Sequence, residues 1–68
     1  MERGTEKILE KIRSKRIECG ISLTNLATRA GISNSHMYYI ESKRVVPSID
    51  VLVKIANALE VEVKELVE

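Results

Sequence analysis

Two helix starts follow each other so closely that the chain between them must turn a tight corner. Ser22-Leu23-Thr24-Asn25-Leu26-Ala27 and Ser33-Asn34-Ser35-His36-Met37 are separated by Ala30-Gly31-Ile32. A serine hydroxyl accepts a hydrogen bond from an otherwise unpaired N–H of the first helical turn, so each serine marks an N-terminus. Gly31 supplies the flexible corner past the first of the two. The spacing predicts short helices over about residues 23–29 and 34–42, hinged by a turn of three or four residues, with Leu26, Ala27, Ala30 and Ile32 pointing into the joint. A generic helical hairpin shares some of these signals, but the small Ala30-Gly31 corner is more restrictive.

At 68 residues the chain reads as one domain, near the lower limit at which a single core holds without staples. Cys19 is the sole cysteine, so no intrachain disulfide supports the fold. It reads as a small apolar residue buried near the end of the first helix rather than as a reactive thiol. Such usage fits a reducing, cytoplasmic location, and neither a signal peptide nor an apolar run of membrane-spanning length is present. Met1-Glu2-Arg3-Gly4 reads as a polar, frayed end.

The formal net charge of +1 averages over a gradient. Residues 1–44 hold nine Lys or Arg against five acids, and residues 45–68 hold two against five. The cationic part contains the paired helix starts, whereas the acidic part would be repelled by phosphate, so the gradient indicates which end faces a polyanion. A surface with charges scattered for solubility is the competing explanation.

Five helices and no strand are predicted. The first, over about residues 5–19, places Ile8, Ile12 and Cys19 near one stripe with Leu9 and Ile17 beside it, and Gly20 ends it. In the third, Met37 and Ile40 face inward and the adjacent Tyr38 and Tyr39, about 100° apart, divide into one at the core edge and one reaching outward. Pro47 forces Arg44-Val45-Val46 into a loop, and Ser48 caps a fourth helix over about residues 49–59 that buries Ile49, Leu52, Ile55, Ala56 and Leu59. A short fifth helix, about residues 63–67, adds Val61, Val63, Leu66 and Val67, more apolar surface than a solvated terminal turn needs.

From about Ile8 to Leu66 the chain resembles the phage repressor and Cro type of helix-turn-helix domain, the XRE family. The resemblance is carried by Ile12-Arg13-Ser14-Lys15-Arg16 with Gly20-Ile21-Ser22, by Leu26-Ala27 with Gly31-Ile32-Ser33, and by Ile40-Glu41, Pro47-Ser48, Leu59-Glu60-Val61 and Glu65-Leu66. It implies an all-α, five-helix, lambda-repressor-like helix-turn-helix bundle that acts as a sequence-specific double-stranded DNA-binding transcriptional regulator. The third helix is then the recognition helix, set in the major groove. It further implies that Arg16 and Glu41 form a largely buried ion pair that serves the architecture. A guanidinium suits that place because its planar fork matches a carboxylate.

By the same resemblance, Asn34, Ser35 and Tyr39 hold positions that approach base edges, with His36 and Tyr38 close by. Asn bonds adenine through two hydrogen bonds and Ser is permissive, so this mostly uncharged set favours A·T-leaning contacts. Phosphate contacts are expected from Ser22 and Leu23 at the start of the second helix, from Ser33 at the start of the third, from Lys43 and Arg44 after it, and from Arg13 and Lys15. A single domain buries little duplex, so a homodimer on a pseudo-palindromic operator is expected, with Val61, Val63, Leu66 and Val67 of the fifth helix as the seam.

Four departures from the family bear on binding strength. Leu23 stands where Gln often bonds a phosphate, and its side chain cannot do so. Lys43 stands where Gly often takes a left-handed turn, so either strain of about 1 kcal/mol or a longer third helix follows. Glu60 replaces a frequent Gly and Glu62 a frequent Ser or Thr cap. These changes keep a second reading open, a protein-interaction module that pairs with a related regulator through the apolar C-terminal surface. One His, no second metal ligand at useful spacing, no phosphate-cradling glycine loop and no Ser–His–acid set argue against an enzyme, a cofactor or a small-molecule substrate.

Overall fold

The computed structural model describes residues 3–68. Five helices follow in order: α1 (Arg3–Glu18), α2 (Leu23–Ala30), α3 (Asn34–Glu41), α4 (Ile49–Ala58) and α5 (Val63–Val67), with no strand among the described residues. The fold class is therefore the all-helical one the sequence implies. Arg3 and Gly4 belong to the first turn of α1 rather than to a frayed end, while Met1 and Glu2 lie outside the described residues.

The three serines behave alike. Ser22, Ser33 and Ser48 sit in extended backbone, and their hydroxyls accept from the N–H groups of Asn25 (3.0 Å), His36 (3.0 Å) and Val51 (3.2 Å). At α5 the arrangement inverts. Glu62 takes the capping position, and the Glu65 carboxylate reaches back to accept from the Glu62 N–H at 2.9 Å, the half of a capping box that satisfies the backbone donor of the capping residue itself.

The first four helices end in one and the same way. A residue of positive φ follows each, at Gly20 (70°), Gly31 (73°), Lys43 (65°) and Glu60 (58°). The next residue turns its N–H back onto the last turn: Ile21 to Arg16 (3.4 Å), Ile32 to Ala27 (3.0 Å), Arg44 to Tyr39 (2.9 Å) and Val61 to Ala56 (3.0 Å). This is the left-handed cap that satisfies orphan carbonyls, usually built on glycine. Lys43 and Glu60 adopt it without glycine's freedom, so the alternative of a longer α3 is not taken and the strain is present at both places. An apolar residue accompanies the cap at Ile21, Ile32 and Val61, each partly buried against the core; at α3 the equivalent residue is Arg44, which is exposed.

The core consists of Leu9 and Ile12 from α1, Leu26, Ala27 and Ala30 from α2, Met37 and Ile40 from α3, Leu52, Ile55, Ala56 and Leu59 from the region of α4, and Leu66 from α5. α2 packs on α3 and α4, and α1 packs on α3 and α5. The small Ala27 and Ala30 let the helices of the corner approach each other closely.

Several sequence expectations change here. The buried stripe of α1 runs through Leu9 and Ile12 and then to Arg16, so Ile17, about 100° around the helix from Arg16, and Cys19, past the end of α1, are exposed. Ile49 is 75% exposed, because the inward arc of α4 is set by Leu52, Ile55, Ala56 and Leu59 and Ile49 lies at its margin on the first turn. Leu66 is wholly buried in the chain's own core and is withdrawn from the expected dimer seam. Val61 and Val63 are partly buried against the same core, which leaves Val67 as the exposed member of that set.

Candidate nucleic-acid interface

Arg16 fixes how α2 and α3 are presented. Its Nε donates to Glu41 Oε2 at 2.7 Å and its Nη1 donates to the Ile21 carbonyl at 2.8 Å. One guanidinium thus joins the end of α1, the turn before α2 and the end of α3. The side chains of Arg16 and Glu41 are 14% and 3% exposed, so the pair works in a medium that screens charge weakly. Glu41 Oε1 is buried and has no hydrogen-bond partner among the described residues. Beside it lies a cleft of about 110 Å³ lined by Arg13, Arg16, Leu23, Tyr38, Glu41 and Ser42.

Within α3, Met37, Ile40 and Glu41 face inward. At about 100° per residue they occupy one arc of the helix, and Tyr38 and Tyr39 fall on either side of the opposite pole. Both tyrosines are accordingly exposed, at 52% and 42%, instead of dividing between core edge and solvent. Their rings meet edge to face with centroids 5.8 Å apart and planes at 63°, a favourable aromatic geometry. Asn34 and Ser35 are exposed on the first turn, whereas His36 is only partly accessible.

The segment after α3 is tied to the same helix. Arg44 and Val45 both donate backbone N–H groups to the Tyr39 carbonyl, at 2.9 and 3.4 Å, and the Arg44 guanidinium carbon lies 6.0 Å from the Tyr39 ring centroid. That distance is at the outer edge of cation–π attraction. Arg44 therefore stands beside the outward face of α3.

The remaining cations differ in freedom. Lys43 Nζ is 3.4 Å from Glu10 Oε2 in an exposed pair, Arg13 is exposed, and Lys15 is half-buried along α1. Ser22 and Ser33 spend an acceptor lone pair on their helix caps, which leaves each hydroxyl proton available as a donor. Leu23 lines the cleft with an apolar side chain, so only its backbone N–H is suited to an anion. On the exposed side of α2, Arg29 Nε donates to Asn25 Oδ1 at 3.0 Å, a pair absent from the sequence reading although its i, i+4 spacing is visible there.

Two capped helix starts, a tight glycine corner and a second helix bared on its outer face define a helix-turn-helix unit. The chain belongs to the helix-turn-helix family, whose pattern it matches over residues 12–66. Two uncharacterized HTH-type transcriptional regulators from two strains of Mycobacterium tuberculosis are each 42% identical to it over 55 residues, 81% of this chain. The chain spans 39% of the length of those relatives. The crystal structure of the restriction-modification controller protein C.AhdI from Aeromonas hydrophila superimposes with a TM-score of 0.84 at 30% identity, covering 88% of this chain and 91% of that one.

Proposed function

We propose that this chain is a DNA-binding transcriptional regulator that reads duplex sequence with α3. The observation that carries the reading is the division of labour on α3: Met37, Ile40 and Glu41 serve the interior, and Asn34, Ser35, Tyr38 and Tyr39 present polar and aromatic groups to solvent. A helix fits the major groove, where Asn34 is suited to the donor and acceptor of adenine and a tyrosine to the thymine methyl. Ser22, Ser33 and the first-turn N–H groups of α2 and α3, with Arg44, Lys43, Arg13 and Lys15, provide the phosphate contacts that fix register. His36, being partly buried, supports the base-reading set at its margin.

The regulator acts as a homodimer on a pseudo-palindromic operator, with recognition helices in successive major grooves about 34–36 Å apart. Family membership and the likeness to a controller protein support this reading. The test is selection of bound duplexes from a random library, followed by titration with salt. Enriched two-fold-related half-sites and affinity that falls steeply with salt are expected. No retardation of any duplex at low salt would overturn the reading in favour of a protein-interaction module.

A further inference from the structure

Lys43, one of the cations assigned to phosphate, has an acid beside it. Its Nζ lies 3.4 Å from Glu10 Oε2, across the junction between α1 and the end of α3, with the two side chains 42% and 59% exposed. The backbone delivers the lysine there. Its left-handed conformation (φ 65°) is held on both sides, by its own N–H donating to the Ile40 carbonyl at 3.1 Å and by the Arg44 N–H donating to the Tyr39 carbonyl at 2.9 Å. The two consecutive cations consequently part: the Arg44 guanidinium stands beside the Tyr39 ring on the outer face of α3, while Lys43 reaches back to α1. Glu10 is exposed, and Arg13, three residues on, neighbours it on the surface of α1. A carboxylate thus stands within the set of cations proposed to meet the duplex backbone.

The separation of 3.4 Å exceeds the about 2.7–2.9 Å of a tight charge-assisted hydrogen bond, so the lysine is kept by charge and exchanges partners readily. Salt does not remove the attraction, because the two groups lie well inside the Debye length of about 8 Å at physiological ionic strength. A phosphate approaching Lys43 therefore has to take it from Glu10. We infer that Glu10 is a positioning residue of the duplex interface: it competes with phosphate for Lys43 and holds the affinity for every duplex below what the cations alone would give. The inference rests on the proposed DNA reading and adds to it a residue that neither the charge gradient nor the family resemblance marks. Because the contact it governs is to the backbone, which carries no sequence information, Glu10 sets the strength of binding and leaves base preference unchanged.

The test compares four full-length chains, wild type, Glu10→Gln, Lys43→Met and the double variant, titrated onto a random-sequence duplex first at low salt and then at about 0.15 M, where distant charges are screened. An exposed pair contributes little to folding, so Glu10→Gln is expected to melt with the wild type, which separates its effect on binding from any effect on the fold. Glu10→Gln is expected to bind about two- to fivefold tighter than the wild type, the scale of an exposed ion pair. In the Lys43→Met background the same substitution is expected to give less than half of that gain, because there is no lysine left to release. A Glu10→Gln chain that binds no tighter, or one whose gain is the same with and without Lys43, overturns the inference alone: the first shows no competition and the second shows only the loss of a negative charge. Binding by none of the four chains even at low salt overturns the DNA reading, and the inference with it.

Discussion

Removing Arg16 tests how the two helices of the corner are held. In Arg16→Met, Glu41 Oε2 loses its only partner among the described residues, where Oε1 already has none, and the Ile21 carbonyl loses the donor at 2.8 Å. Stripping one member from a buried pair costs about 3–5 kcal/mol, chiefly because the other charge stays behind without compensation. The whole chain is expected to hold only about 3–10 kcal/mol against unfolding at typical stability per residue. The single substitution should therefore consume a third of the stability or more, with a fall in Tm of at least about 12 °C. Adding Glu41→Met removes the stranded carboxylate. Arg16→Met with Glu41→Met should then be more stable than Arg16→Met alone, despite one further change, because apolar replacement of a buried pair is often neutral or better. Urea unfolding followed by circular dichroism measures all three chains. A double variant as unstable as the single, or a single variant that melts like the wild type, would refute the assignment of Glu41 as a charge that depends on Arg16.

Three other outcomes are expected. Lys43→Gly and Glu60→Gly should each raise stability by about 1 kcal/mol in urea titrations, since both residues hold positive φ that glycine adopts freely; for Lys43 the lost contact with Glu10 is exposed and offsets little. Gly31→Ala should lower stability by about 1 kcal/mol in the same assay, although nothing lies within 4 Å of the added Cβ, because the penalty comes from the backbone conformation at 73° and not from crowding. Asn34→Ala should cost about 1–3 kcal/mol of discrimination at one base pair in competition binding, whereas Arg44→Ala should weaken all duplexes alike and reduce the salt slope by about one.

The corner and its caps were the most legible part of the fold, because Ser22, Ser33, Ser48 and Gly31 act through local backbone chemistry that leaves little room for tertiary override. Helix faces were less so. Periodicity marks Ile17, Cys19 and Ile49 as apolar candidates but does not fix the width or the end of the buried arc: Ile17 lies off the stripe of α1, Cys19 past its end and Ile49 at the margin of α4. Leu66 shows the converse: five residues are too few to orient a helix by pattern, so only the packing of α5 on α1 reveals that its leucine faces inward. At the candidate site, the family resemblance marked Asn34 and Ser35, which are exposed, whereas the register of the third helix did not anticipate that Tyr38 and Tyr39 are both exposed, because they straddle the pole opposite Met37, Ile40 and Glu41. The placement of Arg44 was not legible either, because it depends on Lys43 taking a left-handed turn that lysine does not advertise.

The outward rows of α3 have a consequence for how such a chain diversifies. Asn34, Ser35 and Tyr38 have no part in the interior, and replacing an exposed residue of this kind shifts folding by no more than about 0.5 kcal/mol. On the proposed reading of α3, a lineage can therefore rewrite which duplex it prefers while its scaffold stays as it was, and new preferences arise without a prior stabilising change elsewhere.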